Sequence, residues 1–119
     1  MNKIASLLAT TALLTAGTVT PALATTTPAM TANDNAVNIA VLGPENSLSF
    51  YWATNGTPTW SPGTVAGANT TFSAPAMAVS GNTVNIAAEG PDHSLDYYWA
   101  INGTSTWHPE TIVGPGSVG

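Results

Sequence analysis

The chain of 119 residues contains no cysteine and a single basic residue, Lys3. Without cysteine no disulfide can hold the fold together, so stability has to come from packing or from the association of chains. Six carboxylates accompany this one cation. Nucleic acid and anionic lipid both bind through cations that displace counterions. We therefore expect no nucleic-acid partner and no binding to an anionic membrane surface.

The N-terminal segment has the layout of a secretory signal peptide. Lys3 precedes an apolar run from Ile4 to Leu14, and a looser stretch ends in Ala22-Leu23-Ala24. Cleavage is expected after Ala24. The apolar run of about 11 residues is shorter than the roughly 20 that a membrane-spanning helix needs. The sequence thus predicts a signal peptide at residues 1–24, a secreted, extracellular mature protein and no membrane span.

The rest of the chain consists of two copies of one segment of about 47 residues. Residues 25–71 align with residues 72–118 without a gap, and about half of the aligned positions are identical. The best match sets VNIAVLGPENSLSFYWATNGTPTW against VNIAAEGPDHSLDYYWAINGTSTW. We predict two repeats, residues 25–71 and 72–119. Their total of about 95 residues is enough for one small domain and too few for two independent cores.

Within each repeat the apolar residues alternate with a period of two, which is typical of β-strands. In the second repeat Val84, Ile86 and Ala88 fall on one face, and Tyr97 and Trp99 fall on one face of the next segment. Four Trp, three Tyr and many β-branched residues favour a folded β domain over disorder. The chain is therefore predicted to be all-β.

Turn residues divide each repeat into short strands. Gly-Pro pairs follow the first long strand of each copy, at residues 43–44 and 90–91. Asn55-Gly56 and Asn102-Gly103 are typical of two-residue primed turns that close a hairpin. Each repeat is thus predicted to be a meander of about four antiparallel strands.

A repeated four-stranded meander of 40 to 50 residues is typical of the blades of a β-propeller. Propellers close with about four to eight blades, and this chain supplies two. Either the chain is a fragment-like short member, or several chains associate into one ring. We predict two four-stranded blades completed by homo-oligomerisation, for example three chains forming a six-bladed ring. The competing fold is a small β-sandwich or prism in which the two repeats pack face to face.

The blocks SLSFYWATNGTPTW and SLDYYWAINGTSTW, with Gly67 and Gly114 at equivalent positions after them, resemble the repeats of bacterial and fungal β-propeller lectins of the tectonin-like and Photorhabdus-lectin-like kind. This resemblance implies a secreted carbohydrate-binding protein. The two-repeat length is similar to that of small fucose-binding lectins that trimerise. Those lectins commonly hold the sugar with an Arg, and this chain has none.

A neutral sugar is bound by an aromatic face for its C–H patch and by polar groups for its hydroxyls. Such residues occur twice here, at equivalent positions, so a site built from them would be duplicated. No cofactor or metal is expected. The candidate ligand-binding residues are Trp60, Trp107, Tyr51, Tyr98, Asn55, Asn102, Glu45 and Asp92.

Structural roles compete with binding at these positions. Trp52 and Trp99 are expected in the core, since they alternate with other apolar residues. Trp60 and Trp107 fit inter-blade packing as well as ligand stacking, and Tyr51 and Tyr98 fit packing on a neighbouring blade. Asn55 and Asn102 suit turns because Asn tolerates positive φ, while Glu45 and Asp92 suit solvated loops.

Catalysis is not expected. His93, His108 and Glu110 stand opposite Asn46, Ser61 and Gly63 of the first copy, so the chemically active residue types occur in one repeat alone. The histidines lack the spacing of a zinc site. The function alternative to carbohydrate binding is a structural or protein-interaction module without a small ligand.

Overall fold

The computed structural model describes residues 27–33 and 35–119. The predicted signal peptide at residues 1–24 lies outside the described residues. In the first repeat the strands are β1 (Ala29–Asn33), β2 (Ala36–Gly43), β3 (Ser47–Thr54) and β4 (Ser61–Ala66). In the second they are β5 (Ala76–Ser80), β6 (Thr83–Glu89), β7 (Leu95–Ile101) and β8 (His108–Val113).

Each repeat forms its own antiparallel sheet. The strand orders are β1-β2-β3-β4 and β5-β6-β7-β8, so each sheet is a simple meander in which sequential strands pair. The helical elements of the described chain are two single-turn 3₁₀ segments, Pro44–Asn46 and Pro91–His93. The all-β prediction, with four strands in each repeat, is confirmed.

The Asn-Gly turns differ from the predicted primed type. Gly56 and Gly103 have positive φ, of 84° and 86°, and the preceding Asn residues do not. The Thr57 amide donates to the Thr54 carbonyl at 3.0 Å. This is the pattern of a type II turn, in which one central residue, usually Gly, needs positive φ. Tolerance of positive φ therefore does not explain Asn55.

The hairpin does not close at this turn either. β4 begins at Ser61, so residues 55–60 form a connection of their own before pairing resumes. In the second sheet residues 102–107 do the same before His108. The extra residues place the Trp at the end of each connection outside the ladder, where its indole can reach a neighbouring sheet.

The two faces of each sheet are named by the residues of its central strands, since directly paired residues of antiparallel strands point to the same side. The front face of sheet 1 carries Asn38, Ala40, Phe50 and Trp52, and its back face carries Val37, Ile39, Tyr51 and Ala53. The equivalent front face of sheet 2 carries Asn85, Ala87, Tyr97 and Trp99, and its back face carries Val84, Ile86, Tyr98 and Ala100.

The single described core lies between the front face of sheet 1 and the back face of sheet 2. Its buried residues are Ala40, Leu48, Phe50, Val84, Ile86 and Tyr98. Trp107, Met77 and Val65 pack against this cluster. The core is apolar because the two facing surfaces contribute alternating apolar side chains, so their burial supplies the main favourable term in folding.

The stacking places opposite faces of the two repeats inside. In sheet 1 the front-face residue Phe50 is buried. Its counterpart in sheet 2 is Tyr97, but the buried aromatic residue there is the next one, Tyr98, which lies on the back face and is 5 % exposed. Trp99 lies on the open front face of sheet 2. The expectation that Trp99 packs in the core with Tyr97 is therefore wrong. The physical reason is that sequential stacking uses the front of one sheet and the back of the next.

Leu48 provides a direct test of this core. It is 0 % exposed, so Leu48→Ala removes buried methyl groups and leaves a cavity. We expect the variant to lose about 2–5 kcal/mol of unfolding free energy in urea titrations followed by circular dichroism.

The matched control is Ile112→Ala on the edge strand β8, where the side chain is 55 % exposed. Its expected cost is below about 0.5 kcal/mol. Equal losses in the two variants would contradict the assignment of the core to the space between the sheets.

Candidate functional site

A cavity of about 340 Å³ opens at the end of the core where the β3–β4 and β7–β8 connections lie. Sheet 1 contributes the front-face residues Ala36, Asn38, Phe50 and Trp52. Sheet 2 contributes Val84, residues 100–105 and Trp107. The site is therefore built by both repeats together, and neither sheet alone would enclose it.

Two indole side chains flank the cavity from opposite sheets. Trp107 packs edge-on against Phe50, with ring centroids 5.1 Å apart and an interplanar angle of 69°. This contact, of the geometry that aromatic pairs prefer, fixes the Trp107 ring in place. Trp52 lies on the front face of sheet 1 and is 41 % exposed. An indole surface is thus open to a ligand in the cavity.

The polar groups of the cavity are amides and hydroxyls. Asn38 is 2 % exposed, and its Nδ2 donates to Asn33 Oδ1 at 2.7 Å. Among the described residues the buried Nδ2 of Asn33 has no partner. Asn102, Thr104 and Ser105 line the opposite wall, and none of the described lining residues carries a charge. The cavity combines uncharged hydrogen-bonding groups with aromatic surface.

Two of the eight predicted ligand-binding residues, Trp107 and Asn102, line this cavity. Their counterparts Trp60 and Asn55 belong to the β3–β4 connection and are exposed. Residues at equivalent positions therefore have different surroundings in the described chain. Trp107 and Asn102 face a neighbouring sheet, whereas Trp60 and Asn55 are open to solvent.

The two predicted tyrosines are separated in the same way. Tyr98 is buried on the back face of sheet 2, and Tyr51 on the back face of sheet 1 is 39 % exposed. Neither lines the cavity. Tyr98 packs against the neighbouring sheet, which was the structural alternative for this position.

Glu45 and Asp92 lie in the 3₁₀ segments, away from the cavity lining. Both have left-handed backbones with φ of 57°, and their side chains are exposed. The Glu45 carbonyl accepts from the Asn69 amide at 2.8 Å, and the Asp92 carbonyl accepts from Gly116 at 2.7 Å. Their backbone thus holds the end of each repeat, and the structure does not bring their carboxylates to Trp107 or Asn102.

Trp52 lines the cavity, and the expectation that it packs in the core is wrong. It lies directly opposite Asn38, near the end of β3. The available signal was its position two residues before the turn that begins at Thr54, where the front face of a strand reaches the end of the sheet. Binding residues lie disproportionately on loops held by a rigid scaffold, so an aromatic side chain beside such a loop is a ligand-binding candidate.

The second repeat has a polar aromatic cluster on its open front face. His108 stacks on Trp99 with ring centroids 4.0 Å apart, and Trp99 Nε1 donates to Glu110 Oε2 at 3.3 Å. His93 Nδ1 lies 2.6 Å from Glu89 Oε2 at the other end of the sheet. In the described part of the chain no three His, Cys, Asp or Glu side chains come together as a metal site would require.

Across residues 27–33 and 35–119 there is no helix with the length and apolar character to cross a membrane.

Comparison with models of known protein families gave no match, and no curated protein sequence matched the chain. The assignment of a function therefore depends on the geometry of the cavity and of the sheet faces.

The Tyr98 phenol is perturbed by its position in the core. Burial raises its pKa above the ordinary value of 10.0, the nearby Asp96 carboxylate acts in the same direction, and a hydrogen bond with Thr70 opposes both. Burial disfavours the charged phenolate because the core cannot solvate it.

The pH dependence of stability follows from this shift. The unfolded chain releases the Tyr98 proton at a lower pH than the folded chain, so raising the pH above 10 favours unfolding. We expect Tyr98→Phe to reduce the loss of unfolding free energy in this alkaline range, measured by urea titration at stepwise pH. If the variant loses as much unfolding free energy above pH 10 as the unchanged protein does, Tyr98 does not titrate in the core.

Proposed function

We propose that the chain is a secreted carbohydrate-binding, lectin-like protein that binds a neutral glycan in the cavity between the two sheets. The observation that carries the proposal is the uncharged cavity of about 340 Å³ flanked by Trp52 and Trp107. Its volume falls in the usual range of small-molecule sites, about 300–1,000 Å³. Indole faces suit the C–H patch of a sugar ring, and amides suit its hydroxyls.

The roles divide between the sheets. Trp52, open to the cavity, provides the stacking surface, and Trp107 forms the opposite wall. Asn102 lies in the β7–β8 turn, and Asn38, already paired with Asn33, orients its amide from the buried side. Since no charge lines the cavity within the described residues, an acidic or cationic ligand would lose solvation there without gaining an ion pair.

Binding without catalysis is part of the proposal. General acid–base chemistry on a glycan needs a carboxyl or imidazole group within hydrogen-bonding reach of the reacting atoms. The described lining residues are amides, hydroxyls, indoles and small apolar side chains. These groups bind and orient a ligand.

The proposed architecture is a β-propeller in which each sheet is one blade. Meander order, strand count and front-to-back stacking of successive sheets all support it. Because two sheets cannot close a ring of the usual four to eight blades, the propeller form needs further sheets beside these two, and we propose that other copies of the chain supply them.

A protein-interaction module is the second candidate function. It is favoured by exposed apolar side chains on one side of sheet 1, where Met30 is 66 % and Trp60 44 % exposed. Apolar surface of this kind is typical of association sites. On this alternative the glycan cavity would be an unused gap between the sheets.

A glycan array followed by calorimetric titration tests the lectin proposal. For the sugar found on the array, we expect Trp52→Ala and Asn102→Ala each to weaken binding about tenfold, a loss of about 1.4 kcal/mol. Both side chains are partly or fully exposed and their backbone pairing is unaffected, so the fold should persist, which circular dichroism checks.

The control is Glu45→Gln, an exposed position outside the cavity lining, which should leave the affinity unchanged. An unchanged affinity of the tightest site in both cavity variants would overturn the site assignment. An array without any specific sugar would overturn the lectin proposal and favour the interaction module.

A further inference from the structure

Equivalent residues of the two repeats differ in burial in a consistent direction. Tyr98 is 5 % exposed, and its counterpart Tyr51 is 39 % exposed. Ile86 is 1 % exposed, whereas Ile39 is only partly buried. Each pair has the same residue type at equivalent positions of the two sheets. The difference in exposure therefore shows that, within the described chain, a neighbouring sheet covers the back face of sheet 2 and none covers the back face of sheet 1.

The contact between the sheets shows what such a neighbour provides. Phe50 on the front face of sheet 1 receives the edge of Trp107 at 5.1 Å. On the first strands of the two sheets, β1 and β5, Thr31 Oγ1 lies 3.1 Å from Met77 Sδ. Front-face residues of one sheet are thus matched to back-side residues of the next.

The same two surfaces remain open on the outside of the described chain. Tyr97, at the repeat position of Phe50, lies on the open front face of sheet 2. Trp60 and Met30, at the positions of Trp107 and Met77, are 44 % and 66 % exposed. The chain therefore presents both halves of an interface that it already uses once internally, on opposite sides.

We propose that the open back face of sheet 1 docks on the open front face of sheet 2 in a second copy of this chain, and that this contact encloses a second cavity. In it Trp60 would pack against Tyr97 of the next copy as Trp107 packs against Phe50. Asn55 would then take the place that Asn102 has in the first cavity. The identification of this second cavity as a glycan site depends on the proposed function, whereas the docking itself does not.

The contact is heterologous, because the two surfaces differ and each copy keeps one of each kind. Such contacts repeat from chain to chain until a ring closes, or they continue as a filament. In a single chain, Met30, Tyr51 and Trp60 would be exposed together. Soluble monomers rarely expose large contiguous apolar patches.

The two cavities are not identical. On the front face of sheet 2, His108 and Glu110 stand where sheet 1 has Ser61 and Gly63. His108 stacks on Trp99 at 4.0 Å, so one face of that indole is already covered, whereas Trp52 is open. We therefore expect the cavity between chains to bind the same glycan more weakly than the cavity within a chain.

Light scattering coupled to size-exclusion chromatography, without sugar, tests the docking. We expect the purified secreted protein to elute as one species with a mass that is an integer multiple, at least twofold, of the chain mass. Tyr51→Lys places a charge at the centre of the docking face. Because association would bury this charge without a partner, we expect the variant to be a monomer. Trp60→Ala, which adds no charge, should weaken association in dilution series.

The matched control is Phe72→Lys, which also replaces an exposed aromatic side chain with a lysine, in the segment between β4 and β5 and outside the strands of both sheets. It should retain the multimer. If the unchanged protein is a monomer, the proposal that a second copy covers the back face of sheet 1 is overturned. A multimer that Tyr51→Lys leaves intact would also overturn it. Circular dichroism confirms that each variant keeps its β signal.

The stoichiometry of sugar binding tests the second cavity. We expect two sites per chain in the multimer, with Asn102→Ala weakening the tighter class and Asn55→Ala the weaker class. One site per chain, with Asn55→Ala having no effect, would overturn the second cavity. Failure of the lectin proposal would appear differently, as no sugar binding by a multimer that still dissociates on Tyr51→Lys.

Discussion

The structure depends on one packing constraint: a small four-stranded sheet with apolar residues on both faces cannot fold alone and must bury at least one face against another sheet. Here the front face of sheet 1 meets the back face of sheet 2, and this contact contains the only core in the described residues. With few charges and no disulfides, little else is available to stabilise the chain.

Functional geometry follows from the same contact. The sheets pack together at Leu48 and Tyr98, which are buried. The cavity lies toward the ends of β3 and β7, between the same two sheet faces. Its lining is supplied by the last residues of these faces and by the connection that follows β7.

Much of the fold could be predicted from the sequence, because strand periodicity and turn residues are local signals. The alternation in β6, the Gly-Pro breaks and the equivalence of the repeats correctly indicated two antiparallel meanders. The inward face could not be predicted by the same means. In β7 both Tyr97 and Tyr98 are aromatic, so alternation identifies two faces without saying which one a neighbour covers.

The candidate site was predictable to a smaller extent. Residues at equivalent positions in two repeats look the same in sequence, yet Trp107 lines a cavity and Trp60 does not, because only one has a sheet beside it. Likewise Glu45 and Asp92 were chosen for their side chains, whereas their observed contacts are made by backbone carbonyls in left-handed turns. Such contacts carry almost no side-chain signature.

Those turns have a consequence for how a chain of this kind can grow. The 3₁₀ segment in the middle of each repeat holds the last residues of the same repeat, through Asn46 with residues 70–71 and through His93 with residues 117–118. Sequence unit and structural unit therefore coincide, and each described strand stays in the sheet of its own repeat. Tandem duplication of the coding segment would add whole sheets without rewiring existing ones, so longer or shorter arrays are accessible in single genetic steps.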